Sequence, residues 1–290
     1  MYNKYLKNFT FVFLIVYFIS FLEYSVMKNT NIHKILNQKY YNNFFIIDKN
    51  YTFNKYKIQK SITLCGLCRN IENKLDKSIY IYEQLGSFFQ EYKIILFEND
   101  SSDNTRELIK KKSYLNKNII LIECAEHANC KLKDKEMYTI GMLSSNRMNK
   151  MAEFRNKYLS FVKTNYNHFD FMMVMDMDIE GFMNIDGFLE NFKYNNWDAI
   201  FINGQSPLAG TLGLVSMTYD ALPYIKDNKD ISKCYNKTFN MYKLIKTIFK
   251  MNIDIQFNKR QFVPVASAFN GAAIYNIKSL KKSSYTSGYC

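Results

Sequence analysis

The chain has 290 residues, of which 48% are hydrophobic, and its formal net charge is +13. This length is enough for one large or two small domains with a hydrophobic core. Although such a charge is typical of proteins that bind nucleic acid, almost all the excess is lysine dispersed along the chain without a basic stripe, so we expect no nucleic-acid partner. Six cysteines form no repeating framework, and three histidines supply a Cys/His zinc site poorly.

The first segment of interest is an apolar run at residues 9–22, FTFVFLIVYFISFL, which follows Lys4 and Lys7. Positive residues before a span favour a cytoplasmic N-terminus. We therefore expect a single-pass type II membrane protein, with its globular domain in an ER- or Golgi-like lumen or otherwise extracytoplasmic. The expected segments are a tail at 1–8, a signal-anchor transmembrane helix at 9–27, a stem at 28–59 and a single globular domain at 60–290. The alternatives for the apolar run are a cleaved signal peptide and a buried helix.

From residue 60 onward, strand and helix candidates alternate. Strands are predicted at 61–67, 93–97, 118–123, 171–175 and 198–202, and helices at 72–89, 105–112, 147–164 and 185–192. Residues 204–219 look irregular, 230–250 are compatible with a helix, and 263–277 are typical of strand, turn and strand. The alternation predicts an α/β fold with a mainly parallel sheet covered by helices.

The fourth strand candidate ends in Asp176-Met177-Asp178. Side chains alternate along a strand, so the two carboxylates project to the same side while Met177 points away. Adjacent carboxylates repel each other, and Mg²⁺ or Mn²⁺ relieves that repulsion because such cations prefer hard oxygen ligands. The alternative is a strand that merely ends in a polar turn with solvated carboxylates.

Polar motifs follow four of the strand candidates. They are Arg69-Asn70, Glu98-Asn99-Asp100, Asp176-Met177-Asp178 and Asn203-Gly204. The carboxyl ends of parallel strands meet at one edge of a sheet, where such sheets bind ligands, so we expect a single site there. Two structural alternatives remain. Cys65-Gly66-Leu67-Cys68 has the spacing of a redox pair, and Ser102 or Asp103 can cap the helix that begins near Thr105.

Several segments together resemble the nucleotide-sugar-dependent glycosyltransferases of the GT-A fold, in the branch related to family-2 enzymes and fungal capsular mannosyltransferase-like proteins. These segments are ITLCGLCRN, LFENDSSDNT, NRMNKMAEFRN, FMMVMDMDIEG, NG…YDAL and FNGAAIYNI, within about residues 60–280. The resemblance implies a GT-A domain that moves a sugar from a UDP- or GDP-linked donor to a hydroxyl of a glycan or glycoprotein.

The resemblance also implies roles for individual residues. Asp176 and Asp178 would hold Mn²⁺ or Mg²⁺ against the donor diphosphate. The implied residues for donor binding are Arg69, Glu98, Asn99, Asp100, Arg147, Arg155 and Asp176. Those on the acceptor side are Asn203, Gly204, Tyr219, Asn270 and Gly271. Asp220 and Glu180 are the candidates for the base of an inverting reaction.

Some of these residues have a plain structural alternative. Arg147 is compatible with a surface salt bridge and Arg155 with a snorkelling or paired charge. Asp220 is compatible with a helix cap, and Gly271 with a turn that needs a positive backbone angle. The chain also departs from the family pattern, because no histidine follows His168, whereas many GT-A enzymes use a C-terminal histidine as a third metal ligand. Two other classes therefore stay open, a non-catalytic binding or scaffold protein of the same fold and a nucleotidyltransferase.

Overall fold

A computed structural model of the chain describes residues 57–124, 145–178, 185–202, 204–207, 216–218 and 262–286. The predicted tail, anchor and most of the predicted stem lie outside these ranges, as does the possible helix at 230–250. Within the described ranges, no helix is both long enough and apolar enough to cross a membrane.

The described residues form strands and helices that follow the predicted order. The strands are β1 (Ile58–Cys68), β2 (Phe89–Glu98), β3 (Ile119–Glu123), β4 (Phe171–Met175), β5 (Ala199–Phe201), β6 (Gln205–Pro207), β7 (Ser216–Thr218) and β8 (Ala272–Asn276). The helices are α1 (Glu72–Ser87), α2 (Thr105–Leu115), α3 (Ser145–Asn165) and α4 (Ile185–Glu190), with 3₁₀ turns at Asn191–Lys193 and Ile277–Leu280.

Six of these strands form one sheet in the order β3-β2-β1-β4-β8-β5. Strands β3, β2, β1 and β4 pair in parallel, whereas β8 runs antiparallel to both of its neighbours. The prediction of an α/β fold is confirmed, but the sheet is mixed. Since β8 is reversed, its first residues lie at the edge where β1, β2, β4 and β5 end, and Ala272 pairs with Met175.

Two predictions about the later part of the chain are wrong. Residues 263–271 do not form the expected first strand. Gly271 has φ of 86°, which turns the chain directly into β8. The stretch after Gly204 is not wholly irregular, because β6 and β7 form a separate antiparallel pair.

The core lies on both faces of the sheet, and β1 shows why. Leu64 and Cys68 pack on the face covered by α1, with Leu75 and Tyr82, whereas Cys65 packs on the opposite face against α3. The two cysteines of the possible redox pair are therefore on opposite faces, and both are fully buried. Burial raises the pKa of both thiols well above the ordinary value, so neither is a reactive thiolate. This excludes the redox interpretation.

Candidate functional site

The candidate site lies at the edge of the sheet where β1, β2 and β4 end and β8 begins. Three residues at this edge have positive φ: Asn70 after β1 (52°), Asp100 after β2 (54°) and Gly271 before β8 (86°). For asparagine and aspartate this conformation is strained, and such strain collects at functional sites. The predicted gathering of polar motifs on one edge is confirmed for the loops after β1, β2 and β4.

Asp176 and Asp178 follow β4 directly at this edge. The amide of Asp176 donates to the carbonyl of Gly271 at 2.9 Å, which ties it to the turn before β8. The side chain of Asp176 is 28% exposed and that of Asp178 is exposed, whereas Met177 is 1% exposed and packs in the core. Met177 is buried as predicted, but β4 ends at Met175 and residues 177–178 form a turn, so a common side for the two carboxylates stays a prediction.

Helix α1 fixes the backbone of the segment from Met175 to Asp178 through hydrogen bonds. Three of its side chains, spaced four residues apart, donate hydrogen bonds to backbone carbonyls of residues 175, 177 and 178. Tyr82 donates to Met175 at 3.3 Å and to Cys65 at 2.5 Å, Ser78 donates to Met177 at 2.7 Å, and Lys74 donates to Asp178 at 3.3 Å. Sequence reasoning missed this role, although polar groups repeating every four residues on a helix mark one face.

The loops after β1 and β2 are joined to each other by side-chain hydrogen bonds. Asn70 Oδ1 accepts from the amide of Ser102 at 2.8 Å and from its hydroxyl at 3.3 Å, and the amide of Asn70 donates to Ser101 Oγ at 3.1 Å. Glu72 accepts from the amide and the side chain of Asn104. Both strained residues, Asn70 and Asp100, thus belong to one cross-braced structure.

Asp103 accepts a hydrogen bond from the first amide of two helices, whose N-cap residues are Ile71 and Asn104. Its Oδ1 accepts from the amide of Thr105, the first residue of α2, at 3.0 Å, and its Oδ2 accepts from the amide of Glu72, the first residue of α1, at 3.1 Å. Partial burial acts to raise the pKa of Asp103, but these hydrogen bonds outweigh it and hold the pKa below its ordinary value. The capping alternative is therefore confirmed for Asp103.

Glu98 is fully buried, and both of its oxygens are engaged within the protein. Oε1 accepts from the amide of Ser101 at 2.7 Å, and Oε2 accepts from Arg106 Nε at 2.7 Å. Since its side chain has no exposed surface, Glu98 braces the loop and orients Arg106, a residue to which the sequence assigned no role. The donor-binding role implied for Glu98 stays a prediction, and any such role would act through the loop.

Asn99, the next residue, is also buried, but its side-chain amide has no hydrogen-bond partner. Asn99 is 3% exposed, its amide donates to the carbonyl of Cys68 at 3.1 Å, and its side-chain Nδ2 is buried without a hydrogen-bond partner. A buried amide of this kind is unusual in proteins. Arg69, directly after β1, and Asp100, next to Asn99 in the chain, are partly exposed.

Arg155 reaches the same edge from α3. Its Nη2 lies 3.7 Å from Asp176 Oδ1, and its guanidinium stacks over the rings of Phe269, at 4.8 Å, and Tyr285, at 5.9 Å. The alternative of a paired charge is thus confirmed for Arg155, with a pairing that involves the proposed metal ligand. Arg147, two turns earlier on α3, is partly exposed, and its role in donor binding stays a prediction.

The remaining predicted residues divide into two groups. Asn270 is 1% exposed and its Nδ2 donates to the carbonyl of Gly204 at 2.8 Å, so it braces the loop after β5. Gly271 has a positive φ, which agrees with the structural alternative given for it, a turn residue. Four residues lie outside the part of the chain that the structure describes: Glu180, Asn203, Tyr219 and Asp220.

Asp176 and Asp178 are the carboxylates that the structure describes directly after β4. Across the described ranges, no group of three or more histidine, cysteine, aspartate or glutamate side chains could hold a metal ion. Further ligands would have to come from water, from an anionic substrate or from residues outside these ranges, among them Glu180.

No protein-family model matches the chain, and no curated protein matches it. Among solved structures, the chain is similar to a mannosyltransferase from Pyrobaculum calidifontis in complex with GDP-Man and Mn²⁺, at 8% identity and a TM-score of 0.41, over 94% of this chain and 59% of that one. It is also similar to the mannosyltransferase Ktr4p from S. cerevisiae, at 13% identity and a TM-score of 0.37, over 79% of this chain and 58% of that one. A third similar structure is core-mannan synthase A from Aspergillus fumigatus in a Mn/GDP form, at 11% identity and a TM-score of 0.34, over 81% and 64%.

The chain spans less than two thirds of the length of each of these three proteins. The resemblance to glycosyltransferases predicted from the sequence is thus met again among solved structures, as a similarity of fold. At these identities and TM-scores, the similarity assigns no activity, ligand or partner to this chain.

Proposed function

We propose that the protein is a glycosyltransferase that moves a sugar from a UDP- or GDP-linked donor to a hydroxyl of a glycan or glycoprotein, with Mn²⁺ or Mg²⁺ as cofactor. The observation that carries the proposal is the position of Asp176 and Asp178 at the end of β4, on the same sheet edge as the loops after β1 and β2. Sheets of this kind bind ligands at this edge.

The residues after β4 fit a hard divalent cation. Asp176 and Asp178 offer carboxylate oxygens, which Mn²⁺ and Mg²⁺ prefer as ligands. Both side chains are accessible, and the backbone that carries them is anchored to α1 by Lys74, Ser78 and Tyr82. Asp176 and Asp178 would therefore hold the cation. When bound, the cation supplies positive charge that offsets the departing diphosphate.

Donor recognition falls to the loops after β1 and β2 and to helix α3. The buried Nδ2 of Asn99 lacks an acceptor, and a ribose, base or phosphate oxygen would supply one. Arg69 and Asp100 lie beside it at the same edge. Guanidinium groups suit phosphate oxygens, so Arg155 and Arg147 are the proposed diphosphate ligands.

In the proposed reaction, the acceptor hydroxyl attacks the anomeric carbon of the donor sugar. The acceptor hydroxyl oxygen would bond to that carbon as the bond to the diphosphate oxygen breaks, and in an inverting enzyme the hydroxyl proton would pass to a carboxylate. Asp220 and Glu180 are the proposed bases. The proposed acceptor-side residues are Asn203, Gly204, Tyr219, Asn270 and Gly271.

The location of the protein is a separate proposal. We expect residues 9–27 to anchor it as a type II membrane protein with a lumenal or extracytoplasmic domain. Cys124, directly after β3, is disulfide-bonded, and disulfides persist in oxidising compartments, which supports this orientation. The anchor is tested by alkaline carbonate extraction of membranes, where release of the full-length protein would contradict it.

The activity is tested by screening UDP- and GDP-linked sugars for Mn²⁺-dependent hydrolysis by the full-length protein. We expect release of sugar from at least one donor, and loss of that release with a chelator or in Asp178→Asn. Asp186→Asn is a matched control, since Asp186 lies on the short helix α4. Release that is unaffected by both chelator and Asp178→Asn would refute the metal site. No release with any donor would favour the scaffold alternative.

A further inference from the structure

We propose that the rings of Phe269 and Tyr285 position Arg155 so that it lies beside Asp176 without closing a hydrogen-bonded ion pair with it. The inference rests on the proposed metal site at Asp176 and Asp178. It goes beyond that site because it assigns a positioning role to Phe269 and to the segment 281–286, which the sequence did not connect with the site.

The first observation is the distance between Arg155 and Asp176. Nη2 of Arg155 lies 3.7 Å from Oδ1 of Asp176, whereas a charged hydrogen bond between such groups is about 2.7–2.9 Å long. Elsewhere in this chain, Arg106 makes that shorter contact, with its Nε 2.7 Å from Oε2 of Glu98. A guanidinium free to follow its attraction to Asp176 would approach it as closely.

The second observation is that two aromatic rings hold the guanidinium. Its central carbon lies 4.8 Å from the ring centre of Phe269 and 5.9 Å from that of Tyr285. Both distances are within the range of about 6 Å over which a cation is attracted to a ring face. The two rings therefore hold the guanidinium together with Asp176, whose Oδ1 lies 3.7 Å from Nη2.

The third observation is that the backbone next to each ring is itself fixed. Phe269 precedes Asn270, which donates to Gly204 at 2.8 Å, and Gly271, whose carbonyl accepts from Asp176 at 2.9 Å. The same short segment thus carries one ring, braces the loop after β5 and holds the first aspartate.

The segment of Tyr285 is held by the helix that carries Arg155. Asn156, the next residue on α3, donates through Nδ2 to the carbonyl of Tyr285 at 2.9 Å and accepts through Oδ1 from its amide at 2.8 Å. Lys163, two turns further along α3, donates to the carbonyl of Ser283. The segment 281–286 is therefore fastened to α3 at two points, with the ring of Tyr285 facing Arg155.

This arrangement has a consequence for cation binding. A direct ion pair would engage a carboxylate oxygen of Asp176 that a divalent cation needs, so Arg155 would compete with the cation. Held by the two rings, Arg155 stays near enough to meet an anionic ligand at the same edge, while its competition for Asp176 is reduced. Removing either ring would release Arg155 to close the ion pair.

The test measures binding of Mn²⁺ alone to the full-length protein by isothermal titration calorimetry. We expect Phe269→Leu, and independently Tyr285→Leu, to weaken Mn²⁺ binding about two- to fivefold, which corresponds to a partly exposed ion pair. We expect this loss to disappear when Phe269→Leu is made in an Arg155→Gln background, because no guanidinium remains to compete. Phe161→Leu, which removes an aromatic ring six residues further along α3, is the control and should leave Mn²⁺ binding unchanged.

The outcomes separate the two proposals. If the wild-type protein binds Mn²⁺ and Asp178→Asn does not, the metal site stands. In that case, unchanged binding in both ring variants, or an equal loss with and without Arg155, would overturn the positioning role alone. If the wild-type protein binds no Mn²⁺, the metal site and the positioning role both fail. Near-ultraviolet circular dichroism identifies any variant that has lost its fold, and the second ring variant then decides.

Discussion

Replacing Gly66 by alanine tests how strictly the packing beneath the two aspartates is set. A Cβ at position 66 would lie 2.5 Å from Cγ and 2.6 Å from Sδ of Met177, and 3.3 Å from the hydroxyl of Tyr82. Carbon atoms pack at about 3.5–4.0 Å, so the side chain of Met177 would have to move by roughly 1 Å. Because Met177 lies between Asp176 and Asp178, its displacement shifts the backbone that carries both carboxylates.

The size of the effect follows from the burial of this contact. Met177 is 1% exposed and belongs to the core beneath β1 and α1, and overpacking a well-packed core typically costs about 1–3 kcal/mol. We therefore expect Gly66→Ala to lower the free energy of unfolding in urea by about 1–3 kcal/mol, and to weaken Mn²⁺ binding. Urea unfolding followed by circular dichroism and Mn²⁺ titration measure the two effects.

Two further variants make the test decisive. Met177→Ala alone should cost about 2–5 kcal/mol as a buried large-to-small change. It also leaves room for the new methyl group, so Gly66→Ala with Met177→Ala should cost less than the sum of the single changes. Gly86→Ala places a methyl group against the ring of Tyr92, at the opposite edge of the sheet, so Mn²⁺ binding should not change. Additive costs in the double variant, or unchanged Mn²⁺ binding in Gly66→Ala, would refute the reasoning.

Four other predictions concern residues at the same edge. Ser78→Ala should cost about 1–3 kcal/mol in urea unfolding, because the buried carbonyl that its hydroxyl meets at 2.7 Å loses its partner. Arg106→Leu should cost about 1.5–3 kcal/mol in urea unfolding, since it removes a charged hydrogen bond from the buried Glu98. Asn99→Ala should leave the free energy of unfolding unchanged or higher, and it should weaken nucleotide binding measured by calorimetry. The pKa of Asp103 is held below that of an unfolded aspartate, so its contribution to stability is complete above about pH 4 and is lost as pH falls through the lower folded value. Asp103→Asn should therefore flatten the acid limb of a pH series of urea midpoints, and an equally steep decline would contradict this.

The parts of the fold that were predictable are those set by local pattern. The strand Phe171–Met175 was predicted with its observed bounds, and the first helix was predicted two residues too long, because burial of one face repeats in the sequence. The direction of β8 was not predictable. It depends on the path of the chain between β7 and Gly271, and an apolar run of five residues looks the same in either direction.

At the site, too, local features were predictable from the sequence and long-range contacts were not. The contrast between the buried Met177 and its two more exposed neighbours is local, and it was predicted. Their support from α1 is not local, because Ser78 and Met177 are 99 positions apart. Tyr82 was interpreted as one of the apolar positions of α1, which it is, but its hydroxyl also reaches two backbone carbonyls. No pattern within the helix indicates which of its buried polar groups meet a partner.

The loop after β2 shows why a motif can be recognised from sequence while the roles of its residues cannot. Of the residues in ENDSSDNT, Glu98 and Asp103 are engaged by the loop and by two helix ends. These contacts stabilise Asp100 in a left-handed conformation that otherwise costs about 1–3 kcal/mol. Each oxygen of Glu98 already accepts a hydrogen bond within the protein, whereas Asn99 keeps a buried donor without a partner. Glu98 therefore braces the loop after β2, and we expect Asn99 rather than Glu98 to make the direct contact with a nucleotide.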